Sequence, residues 1–256
     1  MGRPFTQRDP AGSEPAAPWS ALPGATGQAQ EAVLSADPRS GASTSRVRLA
    51  PGWQAPRLVL GSACELFVLD GSVRIGDYRL STYSYSYVPP GSPVGPFLAE
   101  TACDLLVMPA GPLQATLADP DQPDTSDAAF VPCLDLHAIS WAAPITPGFP
   151  LGALRKSLHN DPLTGAQTWV LGILPGHRDL RYEVHPVSEE GYQLIGTITM
   201  SEGAFPPGSY FWRPPHIAHG RFVTDSGSLT LFRTDGPLST TYVLDRDPPG
   251  WIEPTS

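Results

Sequence analysis

The sequence predicts an all-β protein built from two copies of one β unit. Pro (31) and Gly (25) are abundant among 256 residues, 41% of the residues are hydrophobic, and long amphipathic helical stretches are absent. This composition is typical of many short strands joined by turns. An internal repeat is the second observation, and the strand-like pattern inside both copies is the third.

The repeat shows as an offset that holds over about 75 residues. The stretch DPRSGAST, which begins at Asp37, is echoed 124 residues later by DPLTGAQT, which begins at Asp161. After one extra residue the offset becomes 125, and it then relates Pro89-Pro90 to Pro214-Pro215. A register kept over this length indicates the duplication of one supersecondary unit.

Each copy consists of short runs rich in β-branched and aromatic residues, punctuated by Gly and Pro. Examples are RLVLGSACELFVLDGSV in the first copy, and YEVHPVSEEGYQLIGTITM and GSLTLFR in the second. Each copy is large enough for a small closed barrel or jelly roll, which protects strand edges. We therefore predict an irregular N-terminal arm over 1–30, one barrel over 31–130 and a second barrel over 131–256.

Charge and composition exclude several classes of partner. A net charge of −9 disfavours a nucleic-acid surface, and no run of 18 apolar residues predicts a membrane span. The three cysteines, which lack CxxC spacing, and an N-terminus without the apolar core of a signal peptide favour the cytoplasm. We expect a small-molecule substrate as partner, and a monomer or a homodimer.

A cluster of potential ligands occupies the second copy. Glu183, His185 and Glu189 lie within seven positions, in a stretch that reads as two strands around a turn. Either this run is exposed and simply solvated, or its side chains share a cation.

The stretch resembles the first metal-site motif of the cupin superfamily, G(x5)HxH(x3–4)E(x6)G. The match consists of Glu183-Val184-His185, then Glu189, then Gly196. Glu183 stands where the motif has its first His, and the leading Gly is displaced by one position, at Gly176. The first departure is expected to change the metal preference.

The second cupin motif, G(x5)PxG(x2)H, is matched by Gly208, Pro214 and His219, with His216 at the Gly position. The phrases EEGYQLIG and FPPGSYFWRPPHIAHG are most similar to the metal-binding cupin domain of zinc-dependent anti-sigma factors and related bicupins. The resemblance covers both repeats and implies two tandem cupin jelly-roll barrels, of which the C-terminal one binds a metal.

Strand geometry explains why these residues suit a metal. Side chains two positions apart share a face, so Glu183 and His185 point together into a barrel, while Glu189 and His219 arrive from other strands. Two imidazoles and two carboxylates leave open positions on a divalent ion, with Fe(II) favoured and Mn(II), Ni(II) or Zn(II) as alternatives. Glu183 is either a direct ligand, an acceptor behind the ligands or a general base. The alternative interpretation makes both histidines ordinary polar residues of a half-exposed sheet.

The first copy serves as an internal control. At the offset of 125, every proposed ligand is replaced by an apolar residue or a lone thiol, in the order Leu58, Leu60, Cys64 and Val94. We therefore expect the N-terminal barrel to be metal-free and structural.

The functional hypothesis is a mononuclear metal-dependent enzyme, an oxygenase acting on a small oxygenated substrate chelated to the metal. His216 and Glu183 are the candidate acid or base groups. The alternatives are a metal-dependent isomerase or lyase, a non-catalytic sensing cupin related to anti-sigma modules, and a metal-free structural bicupin. The N-terminal arm contains no His or Cys, which disfavours the anti-sigma alternative.

Overall fold

The computed structural model describes residues 2–8, 16–125, 127, 129–144, 148–149 and 151–243. These residues form strands joined by turns and irregular segments, with one short 3₁₀ helix, Leu136–Ala138, so the predicted all-β class is confirmed. Within these ranges, no helix has the length and apolar character needed to cross a bilayer.

The described strands fall into two compact units. The strands are β1 Thr6–Arg8, β2 Ala17–Pro18, β3 Ala29–Ala36, β4 Ser43–Leu49, β5 Gln54–Ala55, β6 Leu58–Leu60, β7 Cys64–Ile75, β8 Tyr78–Ser81, β9 Ser84–Val88, β10 Pro93–Val94, β11 Phe97–Leu98, β12 Cys103–Pro109, β13 Ala115–Leu117, β14 Val131–Asp135, β15 Ala153–Asn160, β16 Gln167–Ile173, β17 His177–Arg178, β18 Tyr182–Val184, β19 Glu189–Gly196, β20 Ile198–Met200, β21 Gly203–Phe205, β22 Tyr210–Arg213, β23 His219–Gly220, β24 Val223–Thr224, β25 Ser228–Thr234 and β26 Thr241–Val243.

Unit 1 contains the described residues 2–3 and 16–138, and unit 2 contains 4–8 and 139–243. The division therefore falls between residues 138 and 139, whereas the sequence placed it between 130 and 131. In the described part of the N-terminal segment, residues 2–8 and 16–28, two short strands occur, β1 in unit 2 and β2 in unit 1.

The two units repeat one strand order. In unit 1, the antiparallel order β9-β7-β12-β4-β3 forms the middle of the main sheet. In unit 2, the equivalent order is β22-β19-β25-β16-β15, with β1 added beside β22. A smaller sheet, β10-β6-β13 in unit 1 and β23-β18-β26 in unit 2, repeats in the same way.

The motif glycine after the proposed Glu ligand has a steric role. Gly196 has a φ of +70°, and its counterpart Gly71 has a φ of +78°. A Cβ on Gly196 would lie 2.0 Å from the carbonyl oxygen of Gly227, and a Cβ on Gly71 would lie 1.9 Å from that of Ala102. Only glycine fits at these two positions, of which Gly71 lies inside β7 and Gly196 ends β19.

The two cores differ at the positions that the sequence comparison singled out. In unit 1, Leu58 on β6 pairs with Val94 on β10, and both side chains belong to an apolar core. In unit 2, Glu183 on β18 takes the place of Leu58 and pairs with His219 on β23. The same backbone position thus supports an apolar plug in one unit and a polar cluster in the other.

Candidate metal centre

Three strands bring the cluster together. Glu183 lies in the middle of β18, His185 follows directly after that strand, and His219 opens the neighbouring β23. Glu189 is the first residue of β19. All four residues are buried, with exposed fractions of 9% for Glu183 and 2% for His219. The reading of this run as exposed and simply solvated is therefore wrong.

The ligand atoms converge on one point. Single ligand atoms of Glu183, His185 and His219 all lie within 4.8 Å of one another. Glu183 Oε1 is 3.4 Å from His219 Nε2 and 3.8 Å from His185 Nε2. The Glu189 carboxylate lies 3.4 Å from His219 Nε2 and 3.7 Å from His185 Nε2. Glu189 therefore lies near both imidazoles, although it is not part of the three-residue group within 4.8 Å.

These spacings suit a shared cation better than direct hydrogen bonds. Hydrogen bonds between nitrogen and oxygen have lengths of about 2.7–3.2 Å, shorter than every one of these distances. Two ligands that each lie about 2.1 Å from a metal are roughly 3.0–3.4 Å apart at octahedral to tetrahedral angles. The distances between ligand atoms in the cluster, 3.4–3.8 Å, are thus equal to or slightly longer than those between two ligands of one metal ion. Small side-chain movements would bring these atoms into coordination distance of a shared cation.

Backbone carbonyls fix the orientation of both imidazoles. His185 Nδ1 lies 3.0 Å from the Ser239 carbonyl oxygen, and His219 Nδ1 lies 3.0 Å from the Ile217 carbonyl oxygen. When Nδ1 donates to these acceptors, the lone pair of each Nε2 points into the cluster. Both Nε2 atoms are buried and lack a hydrogen-bond partner among the described residues. A divalent cation would satisfy both.

The electrostatics of the cluster favour ionised carboxylates. Burial alone would raise the pKa of Glu183, but the neighbouring His185 and His219 more than offset this and lower it to about 2. Burial likewise opposes ionisation of Glu189, yet the adjacent imidazoles and Arg213 lower its pKa. Ionised carboxylates are the form that binds a metal. Despite burial, the same carboxylates raise the pKa of His185 and raise the pKa of His219 to about 9, so a metal would displace a proton from each imidazole as it binds.

A buried arginine, which the sequence analysis did not single out, completes the surroundings of Glu189. Arg213, 2% exposed, places Nη1 3.5 Å from Glu189 Oε2 and Nη2 3.3 Å from Glu202 Oε1. Its guanidinium also lies 3.7 Å from the centre of the Phe211 ring. The sequence feature that could have indicated Arg213 is a single cation at the end of the aromatic stretch YFWR. At the equivalent position, 125 residues earlier, unit 1 has Val88. Arg213 holds Glu189 in place and balances its charge.

Glu183, His185 and Glu189 of the cluster line a cavity of about 60 Å³ inside unit 2. This is room for roughly four to six water-sized groups, so the cavity suits a small molecule. Most of the wall is apolar, and the residues that line it include Phe205, Phe211 and Phe232. Ser209 Oγ also lines it and is buried without a hydrogen-bond partner among the described residues.

His216 is not brought into this site. Its side chain is exposed and does not line the cavity, while its backbone N–H donates to the His185 carbonyl oxygen over 2.8 Å. Its φ of +66° explains why the cupin motif has glycine at this position. By contrast, His177, which lies outside both motif matches, does line the cavity.

The repeated strand order and the solved structures described below give the chain the cupin fold. The chain belongs to the family described as a domain of unknown function, DUF4437, whose model matches residues 13–241. No curated protein matches the sequence.

Solved structures resemble the chain along almost its whole length. A crystal structure from Nostoc punctiforme PCC 73102, described as a "putative dioxygenase", is 26% identical with a TM-score of 0.87, over 96% of this chain and 93% of that chain. Oxalate decarboxylase from Bacillus subtilis is 13% identical with a TM-score of 0.61, over 91% of this chain and 77% of that chain. The oxalate decarboxylase of Lactobacillus farciminis, in a formate complex, is 12% identical with a TM-score of 0.59, over 92% and 88%. The two decarboxylases support the fold alone.

Proposed function

We propose that the protein is a bicupin whose C-terminal barrel is a mononuclear metal-dependent oxygenase for a small oxygenated substrate. The observation that carries this proposal is the pair of buried Nε2 atoms, on His185 and His219, that face two carboxylates and have no hydrogen-bond partner among the described residues. The similarity to a structure described as a dioxygenase gives further support.

His185, His219 and Glu183 would hold the metal, with Glu189 as a fourth ligand. A redox-active divalent ion, with Fe(II) favoured, would supply Lewis acidity and one-electron chemistry for the reaction with dioxygen. The chain's own residues would then orient the substrate and exclude water. The aromatic wall provides the apolar body of the site, and Ser209 Oγ provides a hydroxyl for a substrate oxygen. We retain Glu183 as a candidate base, because its carboxylate faces this cavity.

Elemental analysis of protein purified without added metal tests the metal site. We expect about one equivalent of a divalent metal in the wild type, and loss of most of it in both His185→Ala and His219→Ala, since each removes a ligand atom. A matched His216→Ala variant should retain the metal, because its exposed imidazole lies outside the cluster. Equal metal content in all variants, or none in the wild type, would contradict the proposal.

Oxygen uptake then separates the candidate reactions. Iron in the site, with O₂ consumed when small oxygenated acids or phenols are added, supports the oxygenase. Turnover without O₂ consumption would instead favour an isomerase or lyase. Tightly held zinc without any turnover would favour a sensing module related to anti-sigma cupins. The three free cysteines support our expectation of a reducing compartment, the cytoplasm.

A further inference from the structure

A second buried arginine, Arg155, lines the same cavity as the metal cluster. It lies on β15, and the residue is 6% exposed. Ala153, two positions earlier on the same face of the strand, belongs to the apolar core of unit 2. The guanidinium is therefore on the interior side of the sheet, where a charge is costly unless it is paired.

The interactions of Arg155 within the chain are weak for a buried cation. The guanidinium lies 4.9 Å from the centre of the Trp169 ring, and Nη2 donates one 3.4 Å hydrogen bond to Gln167 Oε1. No Asp or Glu of the described ranges lies within ion-pair distance of it. Burial lowers the pKa of Arg155, and no neighbouring charge offsets this effect.

Other arginines of unit 2 show the contrast. Arg213 is paired with Glu189 and Glu202, and Arg233 is paired with Glu190. These cations have carboxylate partners from the chain itself, as buried charges usually do. Arg155 thus lacks a carboxylate partner among the described residues, and it lies on a wall of the cavity where an anionic ligand would bind.

The duplicated unit shows that the barrel does not require this cation. At the offset of 124, Arg155 corresponds to Glu31, and the supporting Trp169 corresponds to Ser45. The strand register agrees, because Arg155 pairs with Leu171 and Glu31 pairs with Val47, the residue 124 positions before Leu171. The arginine is therefore present in the unit that has the polar cluster and is absent from the equivalent position of the other unit, which has the same strand order.

We propose that Arg155 binds the carboxylate of the substrate, so that the substrate is a small carboxylic acid with a second oxygen group that reaches the metal cluster. This inference rests on the proposed function for the second contact only. Arginine presents a planar fork of donors that matches a carboxylate with two hydrogen bonds. The apolar wall, with Leu171 and Phe232 among its members, would pack against the carbon chain between the two polar ends.

Calorimetric titration with matched acids and amides tests this assignment. The probes are straight-chain hydroxy acids of three to six carbons and the corresponding hydroxy amides, which differ mainly in charge at one end. In the metal-loaded wild type we expect the best acid to bind about 10- to 100-fold more tightly than its amide, as charge-assisted hydrogen bonds predict. The chain length of the best acid measures the distance from Arg155 to the metal cluster.

Two variants of Arg155 and one neighbouring control isolate the contact. Arg155→Met should remove the preference for the acid, and Arg155→Lys should retain part of it. Lys156→Met removes an equal charge from the next position, where the ammonium lies over the Trp141 ring and does not line the cavity. This control should keep the full preference for the acid.

The outcomes separate this inference from the metal proposal. Equal binding of acid and amide to the wild type, or a preference that survives in Arg155→Met, would overturn the role of Arg155. The titrations are repeated on chelator-treated protein, with metal content measured in every sample. An acid preference that depends on Arg155 in protein that binds no metal would leave this inference standing while the proposed metal chemistry fails.

Discussion

Replacing the polar cluster by the residues of its duplicate is the sharpest test of the metal centre. The triple variant Glu183→Leu, His185→Leu and His219→Val gives unit 2 the residues that unit 1 has at the same positions. Glu189 is retained because it pairs with the buried Arg213, which would otherwise lose a partner.

The expected stability follows from the burial of these groups. All three replaced residues are at most 9% exposed. Exchange of a buried ionic group for apolar residues is commonly neutral or stabilising by about 1–4 kcal/mol. The variant should therefore unfold at the same temperature as metal-free wild type or at a higher one. It should also bind no metal.

Metal binding should have the opposite signature in the wild type. A ligand at 100 times its Kd stabilises the folded state by about 2.7 kcal/mol. For a protein of this size, that corresponds to an increase in Tm of about 5–11 °C. We expect this increase when metal is added to chelator-treated wild type, and no change when it is added to the triple variant.

Thermal unfolding with and without chelator, beside elemental analysis, measures both quantities. The reasoning is refuted if the triple variant still gains Tm from metal, or if chelator leaves the wild type unchanged. A triple variant much less stable than metal-free wild type would show that the cluster stabilises the barrel without a cation.

Three further predictions concern residues outside the ligand set. Gly196→Ala should lower the free energy of unfolding by more than about 2 kcal/mol in denaturant titrations, because it adds a 2.0 Å clash at positive φ. The control Gly176→Ala, where a Cβ would have no atom within 4 Å, should lose only the free energy of its backbone strain. Equal losses in the two variants would count against the clash. Burial raises the pKa of Cys103 to about 12, with a further contribution from the nearby Asp104 and Asp70 charges. A thiol reagent at pH 8 should therefore label the partly exposed Cys133 before Cys103. Early labelling of Cys103, detected by mass spectrometry, would contradict this. His216→Gly should stabilise the protein by about 1 kcal/mol with unchanged metal content, because glycine adopts positive φ at less cost; a loss of metal would instead give this histidine a role in the site.

The sequence predicted the architecture because its signals were periodic and repeated. The offset between DPRSGAST and DPLTGAQT matches the structure, where Gly41 and Gly165 both have positive φ and donate to the Asp37 and Asp161 carbonyl oxygens. These turns fix the register of the strands that follow. The spacing of Glu183 and His185 also indicated a shared face, since side chains alternate along a strand.

The remaining parts of the site depend on contacts that spacing does not encode. Arg213 ends an aromatic strand, and the sequence does not show that its buried side chain forms an ion pair with Glu189. Arg155 lies 28 positions before Glu183, on a strand whose alternation alone does not show which face is interior. Conversely, His216 lies within the second motif, but its side chain is exposed to solvent and its backbone has a positive φ.

Comparison of the two units separates polar groups that serve the scaffold from those that serve the site. Tyr85 donates to Glu65 over 2.6 Å in unit 1, and Tyr210 donates to Glu190 over 2.6 Å in unit 2. A buried pair kept in both copies is explained by the fold, which needs its polar groups satisfied. A buried charge present in one copy alone, such as Glu183, has no such explanation. It costs free energy that the apolar duplicate avoids, and this cost indicates a functional reason for its presence.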